Sequence, residues 1–178
     1  MVGGAGSSVE GALESVSEQA VSSNTTTSTD ARRVIVSKVT AGVALCRYVD
    51  TMALTPAEML ANDPYATRLG MELHGDDPIE VAMTVRADHQ NFLGVTHGGA
   101  MFSLADCAFA LASNRAGARA VAIDAHRVLS GGSSEGDVLT AVAEETTRGR
   151  TLATYRIVVR RNEDRIVGLF TGTVHVST

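Results

Sequence analysis

An α+β fold, in which a curved antiparallel sheet wraps around one long central helix, is predicted by three features of the sequence. The run that follows the glycine pair Gly98-Gly99 and stops at Gly117 is helix-length, free of proline and apolar on every side, the pattern of a buried helix. A period-2 segment stands before it, and strand-like segments separated by legible turns come after it. A helix that is apolar all round needs cover, and a sheet provides it by curving.

In chain order, half of the first 30 residues are Gly, Ser or Thr, with no Lys, Arg or aromatic residue among them. Such a stretch cannot bury enough apolar area to offset its ordering entropy. It also lacks the basic and apolar regions of a secretory signal. Arg32-Arg33 and the apolar run after it superficially resemble an export signal, but Lys38 interrupts the run, which is too short to span a bilayer. Residues 1–51 are therefore expected to form a weakly structured extension, and 52–178 a single folded domain.

The first strong helix start is T-P-A-E-M-L-A, with Thr55 as N-cap, Pro56 at the first helical position and Glu58 soon after. Ile79, Val81, Met83 and Val85 alternate with Glu80, Ala82, Thr84 and Arg86, predicting a strand with one wet face. After the central helix, R-A-V-A-I-D-A-H-R-V-L opens a run of strand-like segments. The turns S-G-G-S-S-E-G, T-R-G-R and R-N-E-D divide this run into a hairpin-linked antiparallel set.

A net charge of −5 with scattered basic residues leaves no electrostatic footprint for nucleic acid. Small molecules or further copies of the chain are the expected partners, with no membrane. Cys46 and Cys107 have neither metal-ligand spacing nor a disulfide-scaffold pattern, which suits a reducing compartment, the cytoplasm by default. Nor do His74, His89, His97, His126 and His175 fall at metal-ligand spacings, so no metal is expected.

One carboxylate, Asp106, sits in the middle of the apolar helix. An acid is almost never fully buried unless it is paired or working, and perturbed carboxylates are enriched at active sites. Asn91, His97-Gly98-Gly99 and Asp106 together form N-x5-H-G-G-x6-D, a pattern far more specific than its parts. This combination, with N-D-P-Y-A-T-R-L-G before it and G-D-V-L-T-A after it, resembles the hotdog-fold acyl-CoA thioesterases of the phenylacetic-acid-degradation type. The likeness runs from about Asn62 to the last strand.

The resemblance implies hydrolysis of an acyl-CoA thioester with no cofactor, in dimers or dimers of dimers whose active sites lie at the dimer interface. It implies that Asp106 acts as general base or nucleophile, Gly98 as backbone donor to the thioester carbonyl, and Asn91 as a holder of substrate or water. His97 matches the motif histidine in a more structural role, beside Gly99. Phe92, Leu93, Met101 and Phe102 are candidates to bound an apolar or aryl acyl pocket. Arg150, with Arg148 and Arg127, is a candidate for the CoA phosphates, against the equal alternative of plain surface charge. A hotdog enoyl-thioester hydratase and a non-catalytic acyl-CoA-binding module are the competing readings.

Physical chemistry adds two expectations of its own. A helix N-terminus presents unpaired N–H groups, and glycine lets a carbonyl oxygen approach them closely. Asp106 lies eight residues beyond Gly98, hence about 12 Å along the helix. If both act on one thioester carbon, they must come from two antiparallel copies. Two further side chains carry weaker expectations: Ser103 bonds its own backbone rather than Asp106, and Asp124 with His126 share one face of the strand after the helix. Between His126 and Asp137 the chain reads V-L-S-G-G-S-S-E-G, where relatives carry an Arg-Pro type segment, so a flexible loop is expected there.

Overall fold

The structure, a computed structural model, describes residues 54–177; the extension expected at 1–51 lies outside them. Helix α1 (Pro56–Ala61) starts as its sequence predicts. The Thr55 side chain accepts the Glu58 N–H while the Glu58 carboxylate accepts the Thr55 N–H at 2.8 Å, a reciprocal capping box. A second short helix, α2 (Pro64–Leu69), is capped one way, the Asp63 carboxylate accepting the Tyr65 and Ala66 N–H groups, and ends at Gly70, whose φ of 67° suits glycine.

Strands β1 (Met71–Asp76) and β2 (Ile79–Thr84) form a hairpin. Ile79, Val81 and Met83 are buried as the alternation requires, while the opposite face is wet except at Ala82, which is also covered. Helix α3 (Gly98–Asn114) follows, then β3 (Arg119–Leu129), β4 (Val138–Arg148), β5 (Leu152–Arg161) and β6 (Arg165–Ser177). The strands make one antiparallel sheet in the order β1-β2-β4-β5-β6-β3.

That order corrects one expectation. S-G-G-S-S-E-G is not a hairpin turn, because β3 does not pair with β4. It pairs with β6 at the far edge of the sheet, so the segment must cross back past the ends of β6 and β5. Of the four strands after α3, three are hairpin-linked in sequence, β4, β5 and β6.

The core lies between α3 and the concave face of the sheet. Leu139, Ala141 and Ala143 of β4, Ala153, Tyr155, Ile157 and Val159 of β5, and Val167, Phe170 and Val174 of β6 are turned inward. Phe109 of α3 meets Tyr155 and Phe170 with ring centroids 5.6 Å apart in each pair. Gly172 makes room for this cluster, since a Cβ there would stand 2.7 Å from the Phe109 ring.

Candidate active site

The helix is less enclosed than its composition suggests. Leu104, Ala105, Ala108, Phe109 and Ala112 are buried against the sheet, but Gly99, Phe102, Ser103, Asp106, Cys107, Ala110 and Asn114 are not. These recur at steps of three and four, one open stripe along α3. Asp106 is half-buried there, with no hydrogen-bond partner among the described residues. Loss of hydration, and next the charge of Asp63 at the α1–α2 elbow, push its carboxyl above the usual range. Burial also pushes the neighbouring Cys107 thiol up to about 12, so it is not a ready nucleophile.

At the N-terminus of α3 nearly every polar group is already engaged. His97 is the N-cap, its Nδ1 accepting the Gly99 N–H at 2.8 Å. The His97 carbonyl accepts from Ala100 and Met101, and the Gly98 carbonyl accepts from the Arg127 guanidinium at 2.9 Å. Ser103 donates to the Gly99 carbonyl at 2.9 Å, as expected of a helical serine, and also meets the Tyr65 hydroxyl at 3.1 Å. Among the described residues nothing takes the Gly98 N–H, one of the unpaired donors of a helix start and suited to an external oxygen.

Asn91 sits in the loop before the helix. Its Oδ1 accepts the Leu93 N–H at 2.8 Å, closing a turn around Gly94, whose φ is 75°. That leaves its amide nitrogen free to donate. The loop is anchored at both ends, by His97 N–H on the His89 carbonyl at 2.7 Å and by Thr96 N–H on the Ser133 carbonyl at 2.9 Å.

Ser133 corrects the expectation of a flexible segment between His126 and Asp137. Its buried hydroxyl donates to Thr96 Oγ1 at 2.6 Å. Arg161 holds the Gly132 carbonyl, and Asn162 holds Asp137. Gly131 serves close approach instead, since a Cβ there would stand 3.1 Å from Val167.

Within one chain the remaining candidates are not gathered. Phe92 is 95% exposed at the loop tip and Leu93 is exposed beside it. Met101 is buried in the core, while Phe102 packs on Phe170 at 5.4 Å with the Arg127 guanidinium 5.2 Å from its ring centre. Arg150 lies in the β4–β5 turn. That turn is at the sheet end shared by Arg119 and Ser177, the C-terminal end of α3, whereas Gly98 is at the other. Asp124 and His126 pair with Thr173 and Thr171 on the outer sheet face, away from the helix. A groove of about 540 Å³ lined by His74, Glu80, Thr140 and Arg160 lies on that outer face too.

His89 was not singled out by spacing and proves structural. It is buried, accepts the Arg86 N–H through Nδ1, and is held by desolvation below its usual pKa. Among the described residues no cluster of three or more His, Cys, Asp or Glu could hold a metal, and no helix is long and apolar enough to cross a membrane.

Residues 93–167, which include the helix and most of the sheet, match the family model described as the thioesterase superfamily. A putative esterase of Deinococcus radiodurans is 48% identical over 113 residues, 62% of this chain and 77% of that one. The acyl-coenzyme A thioesterase PaaI of Escherichia coli is 37% identical over 119 residues, 66% of this chain and 85% of its own. The solved structure of the Escherichia coli PaaI protein, from the phenylacetic acid degradation operon, superposes with a TM-score of 0.64 at 34% identity, covering 67% of this chain and 88% of that one. With the antiparallel sheet wrapped around α3, these matches make the chain a member of the thioesterase superfamily, a hotdog-fold thioester hydrolase of the PaaI type.

Proposed function

We propose that the protein hydrolyses acyl-CoA thioesters carrying an apolar or aryl acyl group, in sites each shared by two chains. The observation that carries this reading is an unpartnered, half-buried Asp106 on the one open stripe of α3, with a raised pKa that makes it a better base than an ordinary carboxylate. The unspent Gly98 N–H supports the second half of the site. Since the two are about 12 Å apart on one helix, Asp106 of one chain works opposite Gly98 and Asn91 of another.

In the reaction, Asp106 takes a proton from water as the water adds to the thioester carbonyl. The developing oxyanion rests on the Gly98 N–H, with the Asn91 amide beside it. Collapse breaks the C–S bond, and CoA leaves as the thiol after the proton is passed on. Attack by Asp106 itself, giving an anhydride that water then opens, needs the same placement. Single turnover in ¹⁸O water identifies an anhydride that water opens at the Asp106 carbonyl, because that route alone leaves label in Asp106.

The sheet edge supports pairing of two chains. Strand β3 is long and stands at the edge of the sheet formed by the described residues, with Val121 67% and Ile123 59% exposed there, an edge that calls for cover. Residues 52–178 would carry the whole activity, and cysteine usage favours the cytoplasm. A hydratase would need His97 as its acid–base group, but its Nδ1 is committed to capping α3.

Free-thiol release across aryl and straight-chain acyl-CoAs tests the reading. Turnover of aryl or medium-length apolar substrates, absent in Asp106→Asn, is the expected result. Thiol release by Asp106→Asn at the wild-type rate overturns the site, and tight binding without turnover overturns hydrolysis.

A further inference from the structure

Resting on the reading of Gly98 as the oxyanion donor, we propose that Arg127 is the positioning residue that fixes the Gly98-Gly99 peptide and thereby aims the Gly98 N–H at the thioester oxygen. Arg127 stands in β3 opposite Phe170, so its side chain is on the helix side of the sheet, where the edge strand leaves it exposed. Its guanidinium lies against the Phe102 ring at 5.2 Å and donates to the Gly98 carbonyl at 2.9 Å. A carbonyl has two lone pairs, so this bond adds to the helix's own.

The peptide needs such a hold because two successive glycines at a helix start are the softest backbone the chain could place there. Its N–H end is tied to His97 Nδ1 and its C=O end to Arg127, so the plane is clamped at both ends. The preceding peptide is held through the His97 carbonyl by Ala100 and Met101. Together these determine where the one unspent N–H points. The guanidinium also places a positive charge one peptide away from the developing oxyanion. A planar, stacked donor does this better than a flexible ammonium.

The test compares Arg127→Met, Arg127→Lys, Gly98→Pro and the Gly98→Pro/Arg127→Met double variant, each verified as folded by its melting curve. Gly98→Pro is suited to folding: Gly98 is the first helical residue, where proline is favoured, and His97 at φ −63°, ψ 131° has the extended conformation that precedes proline. The new Cβ meets the end of the half-exposed Leu129 side chain at 3.1 Å and stands in ordinary contact with the Arg127 guanidinium at 4.0 Å. Arg127→Met should keep the packing on Phe102 and lower kcat by roughly 10-fold with KM within about twofold, as loss of one charged hydrogen bond in the transition state predicts. Arg127→Lys should fall between, and millimolar guanidinium should restore part of the kcat of Arg127→Ala.

The double variant should be no slower than Gly98→Pro, since Arg127 has nothing left to aim. A folded Arg127→Met with wild-type kcat, a change confined to KM, or full additivity with Gly98→Pro overturns the role of Arg127. Wild-type activity in Gly98→Pro instead overturns the oxyanion reading beneath it.

Discussion

On its sheet side α3 presents Leu104, Ala108, Phe109 and Ala112 to Tyr155, Ile157 and Phe170, all of them buried and spent on packing. About half a turn away round the helix, its open stripe carries Ser103, Asp106 and Cys107, and there a carboxylate sits half-dry with no hydrogen-bond partner among the described residues. The sheet side is where apolar area leaves water and stabilises the domain. The stripe keeps a charge where water would solvate it better, which costs stability and makes a base. Stability and reactivity are thus separated by a rotation about one helix axis, and substitutions on the two sides should fail in opposite ways.

Asp106→Asn gives the largest effect. It should lower kcat by roughly 10²–10⁴ as expected for a lost general base, yet raise the melting temperature at pH 7. The sign follows from the raised pKa: the folded state favours the protonated acid, so stability is lost as pH rises through the folded value and recovered below it. For the same reason the acid limb of the wild-type kcat profile should lie above the ordinary carboxylate range. A lower melting temperature in Asp106→Asn would show that the carboxylate contributes to packing, and the contrast between the two sides would collapse.

Next comes complementation. Asp106→Asn and Gly98→Pro chains should each be inactive, but a mixed dimer collects both lesions in one site and neither in the other. Co-folding them should restore up to half of the wild-type activity per mixed dimer. No recovery, with subunit exchange verified by mass spectrometry, would place the whole site in one chain.

On the sheet side, Gly172→Ala drives a methyl into the Phe109 and Phe170 rings and should cost about 1–3 kcal/mol of stability. The kcat of the protein that remains folded should stay within about twofold. The smallest effect is expected from removing residues 1–51, which should leave rate and melting temperature unchanged in a chain starting at Met52. A clear loss of either would assign that segment a part in the domain.

Legibility followed the same division. The helix, its Asp106 and the glycine pair were readable because a buried helix and a charge within it are local patterns. The β4, β5 and β6 hairpins were readable because their turns are short. Strand β1 and helix α2 were not singled out: M-E-L-H-G-D alternates weakly, and Asp63-Pro64 reads equally well as a turn. The place of β3 beside β6 depends on closure of the whole sheet, which no window of residues contains. Ser133 escaped for that reason, since a Gly-Ser run looks flexible until something crosses it. Arg127 was visible only as a phosphate candidate or a plain surface charge, because its partner is a backbone carbonyl 29 residues away in sequence.

The pairing of β3 with β6 also sets an order of events during synthesis. Strand β3 is made before β4, β5 and β6, yet among the described strands it pairs with the last of them, Arg119 lying opposite Ser177. Until then it is an apolar ribbon with both backbone edges unsatisfied, a state open to wrong pairing. The surface through which two chains would meet is therefore completed last, and Arg127 reaches Gly98 only when that strand is seated. On the proposed reading, a nascent chain holds Asp106 early and the aimed N–H late, so a partly made copy would lack a complete site.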